Sequence, residues 1–156
     1  MILIDEIFSD ACQMLGWTFI QGDDHWNNVK DIENNDDNQH GKDDTDLEFS
    51  EKKKYFFLLS KKMRNKRNTY GAVESRLWSG EIVLGVRSNL TDPTYEYKLL
   101  HQINPLYAEQ ERMEVHIPDC EGMKINVWDV SEEVADAYDS NFDGLRITFE
   151  IQHDEI

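Results

Sequence analysis

The fold class is decided by the stretch Leu145-Arg-Ile-Thr-Phe-Glu-Ile151, in which apolar and polar residues alternate without interruption. An alternation of period two places one set of side chains in a core and the other set in solvent. This pattern is typical of a strand in an antiparallel sheet, so we expect a final strand with one buried face and one wet face.

Working outward, the rest of the chain predicts further strands of the same sheet. Residues 55–59 are a buried-strand candidate, and Ile82, Leu84 and Val86 alternate in the next apolar segment. We expect these two runs to form a long hairpin, with Ser79-Gly80 as a tight turn or a bulge. Three other strands are expected at residues 17–20, at residues 113–117 (ended by Pro118) and around residues 125–130.

Two segments have helical patterns. Leu3, Ile7 and Ala11 recur at helical spacing, and Gly16 is a natural stop. Thr91-Asp92-Pro93 is a strong helix start, and Asn104-Pro105 would close that helix because the residue before proline avoids the α region. The chain therefore predicts an α+β fold, with a mostly antiparallel sheet of four to six strands packed against an N-terminal helix and a helix near 92–104.

Length and charge set the domain organisation. The 156 residues suit a single domain, residues 1–156, and the net charge is -16. Acidic and amide residues dominate the segment at about 23–51, which has too few apolar residues for a core of its own. We expect this insertion to be flexible or to be ordered by a partner, and Trp26 within it is a candidate interface anchor.

A basic run follows the acidic segment and is the main candidate contact. Its members at the expected hairpin tip are Lys61, Lys62, Arg64, Lys66 and Arg67. Three interpretations stay open for this tip: a solvated loop, a contact with an acidic protein such as residues 23–51 of a neighbouring copy, or a contact with DNA. The overall acidity argues against general DNA binding.

Targeting signals and metal-ligand patterns are weak. The N-terminus has acids where a signal peptide needs cations, and the longest apolar run is too short to span a bilayer, so we expect a soluble protein made in the cytoplasm, with no membrane partner. Cys12 and Cys120 lack zinc-ligand spacing and are expected to be free thiols. No nucleophile motif or phosphate-binding loop is present, which favours a protein that is not an enzyme and needs no cofactor.

One motif suggests a metal. Residues 139–150 fit the calcium-loop pattern D-x-N-x-D-G-x5-E, with Asp139, Asn141, Asp143 and Glu150 as ligand positions. A calcium loop of this type is followed by a helix, whereas residues 145–151 have strand periodicity. The alternative is an ordinary turn rich in Asp and Asn that leads into the last strand.

The order of these parts resembles the small ring-forming proteins of tailed-phage necks and tails: tail terminators, tail-completion proteins and head–tail connectors. The resemblance covers residues 1–21 and 55–152 and rests on a first helix (3–15), a short strand (17–20), a long hairpin whose second arm includes Leu77-Trp-Ser-Gly-Glu-Ile-Val-Leu-Gly-Val86, a capped helix (92–103) and the final strand after an acidic turn. The segments 23–51 and 105–122 depart from that plan.

The resemblance implies a structural role in the virion neck or tail. Six or twelve copies would form a closed ring around the DNA channel and contact the portal or other neck and tail proteins, with DNA passing transiently through the lumen. Two other functions stay open: an acidic binding or inhibitory module that mimics DNA, and a small calcium-binding protein.

Overall fold

The structure is a computed structural model that describes residues 3–21, 48–87, 99–119, 122–133 and 142–154. It is α+β, and five strands of the described chain form one sheet. The strands are β1 (Thr18–Gln21), β2 (Tyr55–Arg67), β3 (Val73–Arg87), β4 (Met123–Glu133) and β5 (Phe142–Asp154). Within the same ranges the structure has two α-helices, α1 (Ile4–Leu15) and α2 (Asn104–His116).

The strand order across the sheet is β1-β2-β3-β5-β4. β1 pairs with β2 in the parallel direction, and the other three pairings are antiparallel. β1 contacts only residues 55–58 of β2, because it is four residues long. The predicted fold class is therefore confirmed, including the long hairpin of β2 and β3.

Both helices cover one face of the sheet, called here the helix face. Its core includes the alternating residues of β5 predicted from the sequence: Leu145, Ile147, Phe149 and Ile151. Phe8 of α1 joins the layers, since its ring centre lies 5.0 Å from that of Phe56 and 5.1 Å from that of Phe149. Close aromatic packing of this kind adds roughly 1 kcal/mol per pair beyond the burial itself.

The opposite face of the sheet, called here the far face, carries a second buried cluster near β1. Its members are Tyr55, Phe57, Leu59 and Val83, with Ile20 partly buried against them. Residues 55–59 are thus buried on both sides of the sheet, which explains why they are an unbroken apolar run instead of an alternating one.

The first helix ends as predicted. Gly16 adopts a left-handed backbone conformation with φ of 81° and donates its N–H to the carbonyl of Cys12. A residue with a Cβ is strained in that conformation, so glycine is the natural C-terminal residue at this point. Asp5 and Glu6 lie in the first turn, where the helix dipole favours negative charge.

The structure describes only the last residues of the helix predicted near 92–104, and a helix continues at the point where that prediction had an end. Residues 88–98 lie outside the described residues, Leu99–Ile103 form a π-helical turn, and α2 begins at Asn104. Pro105 therefore belongs to the first turn of a helix instead of closing one. Proline is well tolerated there, because the first N–H groups of a helix have no partner within it.

The strand predicted at residues 113–117 is wrong. Met113 and Ile117 are fully buried, but Val115 between them is 69% exposed. Leu106 and Gln110 are buried too, so the core contacts recur every three or four residues and continue from α2 into the short 3-10 turn Ile117–Asp119. The apparent alternation of Met113, Val115 and Ile117 is accidental, because helical spacing also connects its first and last members.

Neither described helix has both the length and the apolar character needed to cross a bilayer.

Candidate assembly interface

The basic residues singled out from the sequence lie on the distal half of β2. We call residues 60–67 the basic arm; it carries Lys61, Lys62, Arg64, Lys66 and Arg67. These five residues are exposed, and they lie along a strand that leads to the hairpin turn at residues 68–72 instead of on the turn itself. The structure thus places these cations along one strand, next to the hairpin turn and not at its tip.

A β-bulge sets the geometry of the basic arm. The register between β2 and β3 shifts at Leu59, which has no partner of its own in β3. Such a bulge redirects the side chains beyond it and increases the local twist. Three cations beyond the bulge belong to the far face: Lys62, Arg64 and Lys66. They pair with Ser79, Leu77 and Ser75, which lie on that face of β3.

The bulge depends on a residue without a side chain at position 80. A Cβ built on Gly80 would lie 1.9 Å from the carbonyl oxygen of Ser60 and 3.0 Å from the Cα of Lys61. Both are backbone atoms, which cannot rotate away as a flexible side chain can. The sequence alternatives for Ser79-Gly80 are thereby settled: β3 runs straight through Gly80, and the bulge lies on the strand that faces it.

The remaining two cations of the basic arm are held locally. Lys61 forms an ion pair with Asp5 at the start of α1, and Asp5 also accepts a hydrogen bond of 2.6 Å from Gln21 of β1. Arg67 donates to the carbonyl oxygen of Gly71 across the hairpin turn at 2.9 Å. Asp5 therefore connects α1, β1 and β2. The other three cations of the basic arm, Lys62, Arg64 and Lys66, form no ion pair with any described residue.

The outer edge of the basic arm is not paired with any described strand. β1 ends opposite Leu58, so it covers only the proximal half of β2. The backbone N–H and C=O groups on such an edge are a template for another strand. Natural proteins commonly place lysines on edges of this kind, which prevents indiscriminate pairing but admits a partner of the opposite charge.

A shallow cleft of about 400 Å³ adjoins the base of the arm. The far-face residues that line it include Ser60, Lys62, Ser79, Glu81 and Thr148. Arg146 donates to Glu81 at 2.8 Å, and both side chains are about one-third exposed. Most side chains around the cleft are thus polar or charged, unlike those of the apolar cluster beside it.

The other edge of the sheet, β4, has a different character. Four apolar residues along it are only half-buried: Ile125, Val127, Trp128 and Val130. Trp128 donates its ring N–H to the side-chain oxygen of Gln110 in α2 at 2.7 Å, which anchors the strand to the helix layer. β4 carries one basic residue, Lys124, and three acidic residues, Asp129, Glu132 and Glu133, so this edge is acidic overall.

The calcium interpretation is not supported by the geometry of β5. Asp143 lies in the strand and is buried on the helix face, whereas Glu150 lies on the far face and accepts a hydrogen bond from Asn126 at 3.1 Å. Seven residues of extended chain separate the two carboxylates by roughly 23 Å, too far for one ion. Asp139 and Asn141 lie outside the described residues, and within the described ranges no three His, Cys, Asp or Glu side chains cluster as metal ligands would.

Two further predictions concern single residues. Cys12 is a free thiol buried in the core, and that burial raises its pKa to about 12, so it is poorly suited to act as a nucleophile at neutral pH. Trp26, the predicted interface anchor, lies outside the described residues, as do Cys120 and most of the acidic insertion, from residue 22 to residue 47.

Sequence reasoning missed the β4 edge as a part of the site. The apolar residues at 123–133 alternate only in part, which indicates a strand, but the sequence does not show whether that strand lies at the edge or in the middle of the sheet. No family model matches this chain, and a search of curated proteins finds no similar one.

Proposed function

We propose that this chain is a structural subunit that assembles with copies of itself into a ring, of the kind found at the neck or tail of tailed bacteriophages. The observation that carries the proposal is the basic arm: an exposed, cationic strand edge on a protein whose net charge is -16. In an acidic protein, a concentrated basic edge is a specific attraction site for acidic surfaces, including those of its own copies.

The two sheet edges explain why the expected assembly is a ring. The edge at the basic arm is cationic and the edge at β4 is acidic, so a contact between like edges would be repulsive. A contact between unlike surfaces is heterologous, and repeated heterologous contacts close into a ring when the rotation between copies permits. The order of first helix, short strand, long hairpin and final strand, which belongs to the family resemblance, supports the same role.

The test is the mass of the purified full-length protein. Sedimentation velocity over a wide range of protein concentration and ionic strength is expected to show a species of six or twelve copies, and negative-stain micrographs of that species should show annular particles. A monomer at every concentration and salt level would refute the proposal. Closed dimers with two-fold symmetry would refute the ring while leaving self-association in place.

A further inference from the structure

We infer that the basic arm of one copy pairs with β4 of the next copy, so that the sheet continues from subunit to subunit. This inference rests on the proposed self-assembly and names the surfaces that carry it.

Both edges offer backbone groups to a partner. Among the described residues, the basic arm pairs only with β3, and β4 pairs only with β5. β4 is eleven residues long, contains no proline and carries four apolar side chains that are only partly buried. A long edge strand of that kind promotes aggregation unless something covers it.

The charges favour a pairing between the two edges. Lys62, Arg64 and Lys66 on the basic arm form no ion pair with described residues. On β4, Asp129 has an exposed side chain, and two glutamates end the strand. A like-edge pairing of two basic arms would instead place cations opposite cations, which is destabilising.

The strand directions are compatible with that pairing. β2 and β3, β3 and β5, and β5 and β4 are all antiparallel neighbours, so β2 and β4 run in opposite directions within one sheet. A rotation about an axis parallel to the strands preserves their directions. The basic arm of the next copy would therefore meet β4 in an antiparallel pairing, with both helix layers on the same side of the sheet.

The side-chain parity selects a register. Asp129 lies on the far face because it pairs with Thr148, and Arg64 lies on the same face, opposite Leu77. An antiparallel register that places Arg64 opposite Asp129 also places Met63 opposite Val130 on the helix face. Met63 is 39% exposed and Val130 is half-buried, so this register covers two apolar side chains while it pairs two charges.

A charge swap tests the pairing. Arg64→Glu and Asp129→Arg are each expected to weaken self-association at least tenfold, because each makes the contact repulsive. A 1:1 mixture of the two variants, and the double variant in one chain, should both recover the wild-type assembly, since every contact then joins opposite charges. Glu111→Lys on the exposed side of α2 is the matched control and should leave assembly unchanged.

A cross-linking experiment tests the register itself. In a Cys120→Ser background, Arg64→Cys combined with Asp129→Cys is expected to give, on oxidation, a ladder of covalent oligomers that ends at the number of copies in the ring. Met63→Cys combined with Asp129→Cys is the control, because these two residues lie on opposite faces and should cross-link poorly. Circular dichroism and melting temperature verify that each variant is folded.

The outcomes separate the two proposals. If the wild type is a ring but the charge swap has no effect and no ladder forms, the edge pairing is wrong and the ring function stands. If the wild type stays monomeric, the proposed function fails as well. If a DNA duplex binds the wild type and Arg64→Glu abolishes that binding without changing assembly, the basic arm is a nucleic-acid contact and the edge pairing is refuted.

Discussion

Replacing Gly80 with alanine is the most direct test of how the basic arm is positioned. The added methyl group would lie 1.9 Å from the Ser60 carbonyl oxygen and 2.7 Å from its carbon, whereas real Cβ atoms essentially never approach other atoms within 3.0 Å. To remove the overlap with the oxygen, β2 and β3 must separate by about 1 Å at the bulge, in a well-packed region where such overpacking typically costs 1–3 kcal/mol.

We therefore expect Gly80→Ala to lower the free energy of unfolding by about 3 kcal/mol, since the clash is with backbone atoms that cannot rotate away. For a chain of this size, that loss corresponds to a decrease of roughly 6–12 °C in melting temperature. Urea denaturation followed by tryptophan fluorescence measures the free energy, and calorimetry measures the melting temperature.

Gly71→Ala is the matched control, because it adds the same methyl group on the same hairpin. Its Cβ would meet nothing within 4 Å, but the backbone has φ of 84°, so the expected cost is about 1 kcal/mol of conformational strain. A Gly80→Ala protein within about 0.5 kcal/mol of the wild type, the range of ordinary surface changes, would refute the close approach and the bulge geometry built on it.

Three further changes test other contacts. Trp128→Phe removes the donor to the buried Gln110 oxygen and should cost about 1–2 kcal/mol in thermal unfolding; an unchanged melting temperature would contradict that hydrogen bond. Asp5→Asn removes the charge that pairs with Lys61. Because both side chains are partly exposed, we expect the free energy of unfolding in urea to fall by no more than about 1 kcal/mol. A larger loss would mean that this ion pair stabilises the fold more than exposed pairs usually do. Burial raises the pKa of Cys12 from 9.0 to about 12, so the thiol's contribution to stability is fully present below pH 9 and is lost as pH rises towards 12. Compared with Cys12→Ala, the free energy of unfolding of the wild type should fall by up to about 4 kcal/mol over that window. Parallel pH profiles of the two proteins would count against the burial.

The predictable parts of the fold are those in which local pattern and tertiary environment agree. Apolar and polar residues alternate along β5, which has one buried face, and α1 has apolar residues at helical spacing and a glycine at its C-terminal end, so both elements could be predicted from the sequence. α2 was not, because Met113 and Ile117 fit two periodicities at once. Only the burial of Leu106 and Gln110, against the exposure of Val115, separates the helical interpretation from the extended one.

The candidate site was predictable in composition but not in geometry. The cations of the basic arm are visible in the sequence, but their exposure along an edge depends on how far β1 extends beside β2. The Lys61 pair with Asp5 joins residues 56 positions apart, which no local pattern encodes. The role of β4 depends on its position at the end of the strand order, and that position is a property of the whole sheet.

The parallel pairing of β1 with β2 has a consequence for how the gene can vary. Two parallel neighbours cannot be joined by a tight turn; the chain must travel back along the full length of the strand, which takes a dozen or more residues. The segment between Gln21 and Tyr55 makes that connection, so a long segment here is a topological requirement of the sheet. A deletion that leaves fewer than about a dozen residues between these two strands is therefore expected to prevent their pairing, even where every other residue of the protein is kept.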